Sequence, residues 1–210
     1  MKKKLLALVL VVALAATAVI GGTLAYFTDK EVATNTFTVG NVDITLTEDK
    51  WVESNAKLIP GRVIEKNPTI TLENDSERAY TFMEVKLSAD FAELLSKYAA
   101  VKKLDLTDAE DQKALINAWF VSAVKPKIMK IDLANKSVIL GVLSAKNPGE
   151  SVTYFDQVTV PADLEGDLID ENGTYEIYIT AYAIQAEGFE GKNADKSADR
   201  KAAFDALFAE

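Results

Sequence analysis

Residues 174–186 read TYEIYITAYAIQA. Odd positions carry Tyr175, Ile177, Ile179, Ala181 and Ala183. Even positions carry Tyr178, Tyr182, Ile184 and Ala186. Side chains of a strand alternate between its two faces, so a segment apolar on both is packed on both. This predicts a central strand rather than an edge. Outward from it, the same period of two recurs. Val42, Ile44 and Leu46 oppose Asp43, Thr45 and Thr47. Ile70 and Leu72 follow a Pro60-Gly61 turn and the extended pre-proline residue Asn67. Met83, Val85 and Leu87 oppose Glu84 and Lys86. Residues 127–144, KIMKIDLANKSVILGVLS, form two strands around a turn at Asn135-Lys136. Asn147-Pro148-Gly149 marks a further turn, and Val152, Tyr154, Val158 and Val160 follow it as core candidates.

Three segments carry helical periodicity instead. Asp90 caps residues 91–101, FAELLSKYAAV. Thr107 and Glu110 form a capping box ahead of residues 111–120, whose Leu115, Ile116 and Trp119 make an apolar stripe that packs on a sheet. A last helix spans residues 197–210, with Phe204, Leu207 and Phe208 on one side. Seven to nine strands and three short helices predict a mainly β fold, an antiparallel two-sheet, jelly-roll-like sandwich. The organisation expected is a leader at 1–25, an N-terminal arm at 26–41 and one domain at 42–210. That domain holds a helical insertion at about 90–125 and the C-terminal helix.

Composition narrows the chemistry. The 210 residues contain no cysteine and no histidine. Disulfides, thiolate metal sites, thiol nucleophiles and every histidine-dependent triad are therefore excluded. The net charge is −9, and removing a leader that holds Lys2, Lys3 and Lys4 but no acid takes it to −12. A chain this acidic, with no basic cluster beyond the leader, is not expected to bind nucleic acid or anionic lipid.

The leader has a basic start, an apolar run from Leu5 to Ile20 and small residues at its end. Thr23 and Ala25 occupy the −3 and −1 positions of a cut before Tyr26, which is the secretory pattern. An uncleaved membrane anchor is the alternative. The mature chain is then secreted, touching the membrane only through an uncleaved leader.

No catalytic, cofactor-binding or metal-ligating residue stands out, and no cofactor is expected. Asp163, Glu165, Asp167, Asp170 and Glu171 lie close together, but their spacing departs from the calcium-binding helix-loop-helix pattern. A solvated acidic loop is the reading favoured over a calcium site. Tyr175, Tyr178 and Tyr182 read as core or sheet-face aromatics, with no interleaved basic residues to stack nucleic acid.

The leader ending Gly21-Gly22-Thr23-Leu24-Ala25 runs directly into Tyr26-Phe27-Thr28-Asp29 and Thr36-Phe37-Thr38-Val39-Gly40. This junction resembles the TasA/camelysin family of surface and biofilm-matrix proteins of Gram-positive bacteria. So do residues 58–85, FDQVTV at 155–160, and YEIYITAYAIQAEGF at 175–189. The resemblance leaves out the helical insertion. Arg62 stands where the family often places Asp after Pro-Gly.

The resemblance implies a jelly-roll subunit, released by a SipW-type signal peptidase and located in the extracellular matrix or on the cell surface. It implies assembly with copies of itself, and with accessory matrix proteins, by donation of the N-terminal strand. The arm's apolar groups are Tyr26, Phe27, Val32, Phe37 and Val39, and Gly40-Asn41 marks a change of apolar face read as a bulge or break before the first domain strand. A non-enzymatic structural subunit is the expectation. The alternatives are a monomeric cell-surface adhesion module and a camelysin-like metalloprotease, the latter without any histidine ligand.

Overall fold

The computed structural model describes residues 41–52, 56–122 and 126–209. The ten strands among them are β1 (Ile44–Thr47), β2 (Val63–Glu65), β3 (Thr69–Leu72), β4 (Ala79–Leu87), β5 (Phe120–Val121), β6 (Lys127–Asp132), β7 (Ser137–Gly141), β8 (Ser151–Thr153), β9 (Gln157–Thr159) and β10 (Ile177–Gln185). The helices are α1 (Ala89–Val101), α2 (Ala109–Trp119) and α3 (Lys196–Leu207). A 3-10 turn lies at Gly166–Leu168. The fold is mainly β, and all paired strands are antiparallel.

Two short ladders, β1-β3-β8 and β2-β9-β5, face one longer ladder, β10-β4-β7-β6. The short ladders are halves of one bent layer. β2 leads into β3 through Asn67-Pro68, and β8 into β9 through residues 154–156. Tyr154 N donates to the Pro68 carbonyl at 3.0 Å and Lys66 N to the Asp156 carbonyl at 3.3 Å, which carries pairing across the bend. Proline has no N–H to give the ladder, so the break falls there.

Ile64, Ile70, Val152 and Val158 from the bent layer meet Met83, Val85, Val138 and Leu140 from the other in one core. The buried Tyr154 hydroxyl crosses between the layers and donates to the Thr81 carbonyl at 2.6 Å. Burial pushes that phenol well above its ordinary pKa.

The predicted core residues of β4 and of the 152–160 segment are buried, with Leu87 half-buried, and the turns at Pro60-Gly61, Asn135-Lys136 and Asn147-Pro148-Gly149 fall where expected. Lys136 adopts φ 55°, and Gly61 and Gly149 adopt φ 79° and 77°, the left-handed geometry these turns require.

Both expected helix caps are corrected. Ser88, not Asp90, caps α1: its hydroxyl accepts from Phe91 N at 3.4 Å. The helix starts earlier because the Ser88 carbonyl already receives Ala92 N, while Asp90 accepts from Thr174 N at 2.7 Å. Asp108, not Thr107, caps α2, accepting from Glu110 N and Asp111 N. Thr107 instead donates its hydroxyl to Asp105, and Glu110 pairs with Lys113. A carboxylate one residue on outcompetes the hydroxyl for the free N–H groups.

The expectation of a central strand at 174–186 is also corrected. β10 pairs β4 along all nine residues, Ile177↔Leu87 to Gln185↔Ala79, and among the described residues it is the outer strand of its ladder. Its two apolar faces have another cause. Ile177, Ile179 and Ala181 face the core, whereas Tyr182 and Ile184 face a second cluster beneath α3. In that cluster Phe82 meets Phe204 and Phe208 edge-on, with ring centroids 5.6 Å and 6.0 Å apart.

The loop before α3 is held from below. Asp199 is 3% exposed and accepts from Gly191 N at 2.7 Å and from Asn193 N and Nδ2 at 3.0 Å. The Gly191 N–H, first among these donors, keeps the carboxyl below its ordinary range. A depressed folded-state pKa contributes stability above the unfolded value of about 3.9 and loses it as pH falls through the lower folded value. Asp199→Asn is expected to melt at a lower temperature than the unchanged chain at pH 7. The difference should narrow in strong acid, as followed by thermal denaturation monitored by circular dichroism.

Candidate functional site

An outer strand offers a row of backbone groups, so the side of β10 away from β4 is the place to look for chemistry. Ser88 N donates to the Glu176 carbonyl and Ala186 N to the Arg78 carbonyl, both at the β4 side. Antiparallel ladders alternate, so the even residues between them point toward β4. The N–H and C=O groups of Ile177, Ile179, Ala181, Ala183 and Gln185 therefore point away from it. Among the described residues no strand pairs with that side. The side chains of Ile177, Ile179 and Ala181 pack on the core, so an added strand would meet apolar neighbours as well as free hydrogen-bonding groups. This is the geometry of strand addition.

The start of β10 borders a groove of about 700 Å³ lined by Trp51, Lys66, Phe91, Tyr175 and Tyr178, among others. Tyr178 is 52% exposed there. Tyr175 is held against Phe91, with ring centroids 6.1 Å apart, and its hydroxyl accepts from Asp170 N at 2.8 Å. Gly173 makes that placement possible, since a Cβ there would come within 2.8 Å of the Tyr175 oxygen. Lys66 is buried, but its charge is met by Glu48 at 2.6 Å and by the Trp51 ring at 4.7 Å.

The five acids of the 163–171 loop do not converge. Asp163 receives the Tyr98 hydroxyl at 3.0 Å and pairs with Lys102. Lys102, first, and Tyr98 hold that carboxyl below its usual range, while burial and the Asp163 bond push Tyr98 up to about 12. Asp170 is occupied with Asn172 N at 2.9 Å. Glu165 precedes the 3-10 turn, which carries Asp167, and Glu171 lines the groove. Among the described residues no three carboxylates come together in a way that could hold a metal ion.

Tyr182 lies in the cluster beneath α3, whereas Tyr175 packs on the main core. The expected cleavage residues Thr23, Ala25 and Tyr26 and the arm residues Phe27, Val32, Phe37, Val39 and Gly40 lie outside the described residues. The outward backbone groups of β10 were not anticipated from the sequence. Its unbroken apolar faces carry no mark of which side lacks a partner.

A family model described as camelysin metallo-endopeptidase matches residues 1–172. The match runs through α1 and α2, which the motif resemblance left out, and ends before β10, which that resemblance included. No curated protein matches the chain. The donor set does not fit the metal that the family description implies: the chain has no histidine or cysteine, and its described carboxylates form no cluster. The leader junction, the β segments and a match spanning most of the length agree, and the chain belongs to the TasA/camelysin family.

Proposed function

We propose that the protein is a secreted structural subunit of extracellular fibres, and that it polymerises by lending its N-terminal arm to the next copy. In this reading a SipW-type peptidase cuts before Tyr26, and the freed arm pairs with the outward side of β10 on a neighbour. The single observation that carries the proposal is that side of β10: nine residues long, backed by the core, and with no described strand hydrogen-bonded to it. The two facing layers suit a jelly-roll subunit, in which one missing strand would complete the longer layer. Each arm reaches a different surface from the one it leaves, so contacts of this kind are head-to-tail and build an open filament. Accessory matrix proteins would use the same open side at filament ends.

The test exploits the direction of the backbone. Proline at residue 183 removes an N–H that points away from β4, leaving the β4 ladder intact. Ala183→Pro is therefore expected to fold, with an unchanged far-ultraviolet spectrum, and to donate but not to accept. Mixed with unchanged subunits, it should stop growth at one end and shorten filaments seen by negative-stain microscopy. Normal filament lengths from a well-folded Ala183→Pro mixture would count against β10 as the acceptor.

A further inference from the structure

We infer that the cleft between the two insertion helices and the longer ladder binds a small amphiphile, a free carboxylate with an apolar tail of about six to eight carbons. The inference stands within one subunit and does not depend on the proposed assembly.

The space comes first. Helices α1 and α2 and strands β4, β7 and β6 enclose a cavity of about 190 Å³ that opens to solvent. The insertion is fastened to the core by Trp119, which meets Phe91 and Tyr98 edge-on. Beside that seam, α1 presents short side chains. Ala92 and Ser96 are one turn apart, hence on the same side of the helix, and both border the cavity. Val85 of β4 and Val138 of β7 line it too. Residues this short leave room that a leucine at 92 or 96 would take.

The walls give water little to hold. The Ser96 hydroxyl donates to the Ala92 carbonyl at 2.8 Å, and the Gln112 amide donates to the Leu106 carbonyl at 2.7 Å. Leu95, Leu115 and Phe120 complete an apolar lining. An apolar cavity of about 150 Å³ stays dry and takes up benzene, so one of about 190 Å³ suits a tail of about six to eight carbons.

The mouth decides the head group. Lys136 borders the cavity while itself exposed, and among the described residues no carboxylate pairs with it. Asp132 also borders the cavity, but its acid is spent. Oδ1 accepts from Asn135 N at 2.9 Å and Oδ2 from Asn135 Nδ2 at 3.0 Å. Asp132 pairs with Ser137, one position along from the Ile131↔Val138 pair. Ile131 and Val138 pack on the core, so by alternation the Asp132 side chain lies on the other face of the sheet. Leu133, 56% exposed, extends the apolar wall outward at the same opening. An ammonium beside a dry apolar slot selects an anionic head on an apolar tail. The bound tail touches helices and ladder together, so binding ties the insertion down and stabilises the fold by mass action.

Octanoate is the probe, with octanol and octylamine as head-group controls, followed by isothermal titration and by thermal denaturation of the purified protein. Octanoate is expected to bind at a single saturable site and to raise the melting temperature. Lys136→Asn suits the left-handed φ of 55° at that turn, so it removes the charge without straining the backbone. It is expected to weaken octanoate about tenfold and to leave octanol unchanged. Ala92→Leu keeps a good helix former and fills the space, and is expected to abolish binding with an unchanged far-ultraviolet spectrum. Ser96→Leu repeats that test from the next turn. Absence of saturable octanoate binding to the unchanged protein would overturn the inference. Binding that survives in folded Ala92→Leu and Ser96→Leu would place the ligand elsewhere and overturn the site. Equal binding of all three probes, untouched by Lys136→Asn, would overturn the assignment of a carboxylate.

Discussion

Protein that begins at Tyr26 is expected to elongate into filaments, and protein that begins at Val42 to remain monomeric at the same concentration. Light scattering and negative-stain microscopy would separate the two. The shortened chain retains Ile44 and everything that follows, so β1 keeps its pairing with β3 and the core keeps its side chains. What it loses is Tyr26, Phe27, Val32, Phe37 and Val39, the apolar groups that an acceptor would bury, along with the backbone that would pair with residues 177–185 of a neighbour. Burial of those side chains and ordering of the arm nearly offset each other, which leaves the ladder hydrogen bonds to decide the balance. An intermediate result is therefore not expected: without the ladder there is no surplus. Filaments of the same form from the Val42 chain would remove the arm from the assembly mechanism.

Trp119→Ala is expected to cost about 3–5 kcal/mol of folding stability, the range for deleting a fully buried large aromatic. Trp119 is the last residue of α2 and has 0% exposure. Its ring meets Phe91 and Tyr98 of α1 edge-on, with centroids 5.4 Å and 6.2 Å apart. It joins the two insertion helices to the core shared by both layers. Among the described residues the indole Nε1 has no hydrogen-bond partner, so the loss is one of packing and cavity. Urea denaturation checks this: the midpoint should fall while the slope stays constant. A loss below about 1 kcal/mol would mean that the site collapses onto the space left behind, and that α1 and α2 ride on the sandwich rather than stabilise it.

Local signals in the sequence were dependable where the physics is local. Asn135-Lys136 and Asn147-Pro148-Gly149 name their own turns, and Met83 and Val85 declare their face by alternation with Glu84 and Lys86. The caps were harder, because Ser88, Asp90, Thr107 and Asp108 are all competent. Which one serves depends on where β4 ends and on what Thr174 and Asp105 need. The position of β10 was not legible at all. Period-two patterning reports what lies above and below a strand, and α3 supplies an upper layer as well as another sheet would. It says nothing of the strand's flanks, where hydrogen bonds are made by backbone common to every residue. For the candidate site, the sequence pointed to the arm through its side chains. The side proposed as acceptor is built from main chain and became visible only with the ladder.

Helix α3 also bears on how thick any such fibre grows. Tyr80, Phe82 and Ile139 would otherwise form a bare apolar plane, and planes of that kind from different molecules interdigitate into dry, laterally stacked bundles. With Ala203 and Phe204 laid over them, this face is not left naked for a second sheet to zip against. If the protein polymerises as proposed, that cover would favour growth along the axis over lateral bundling.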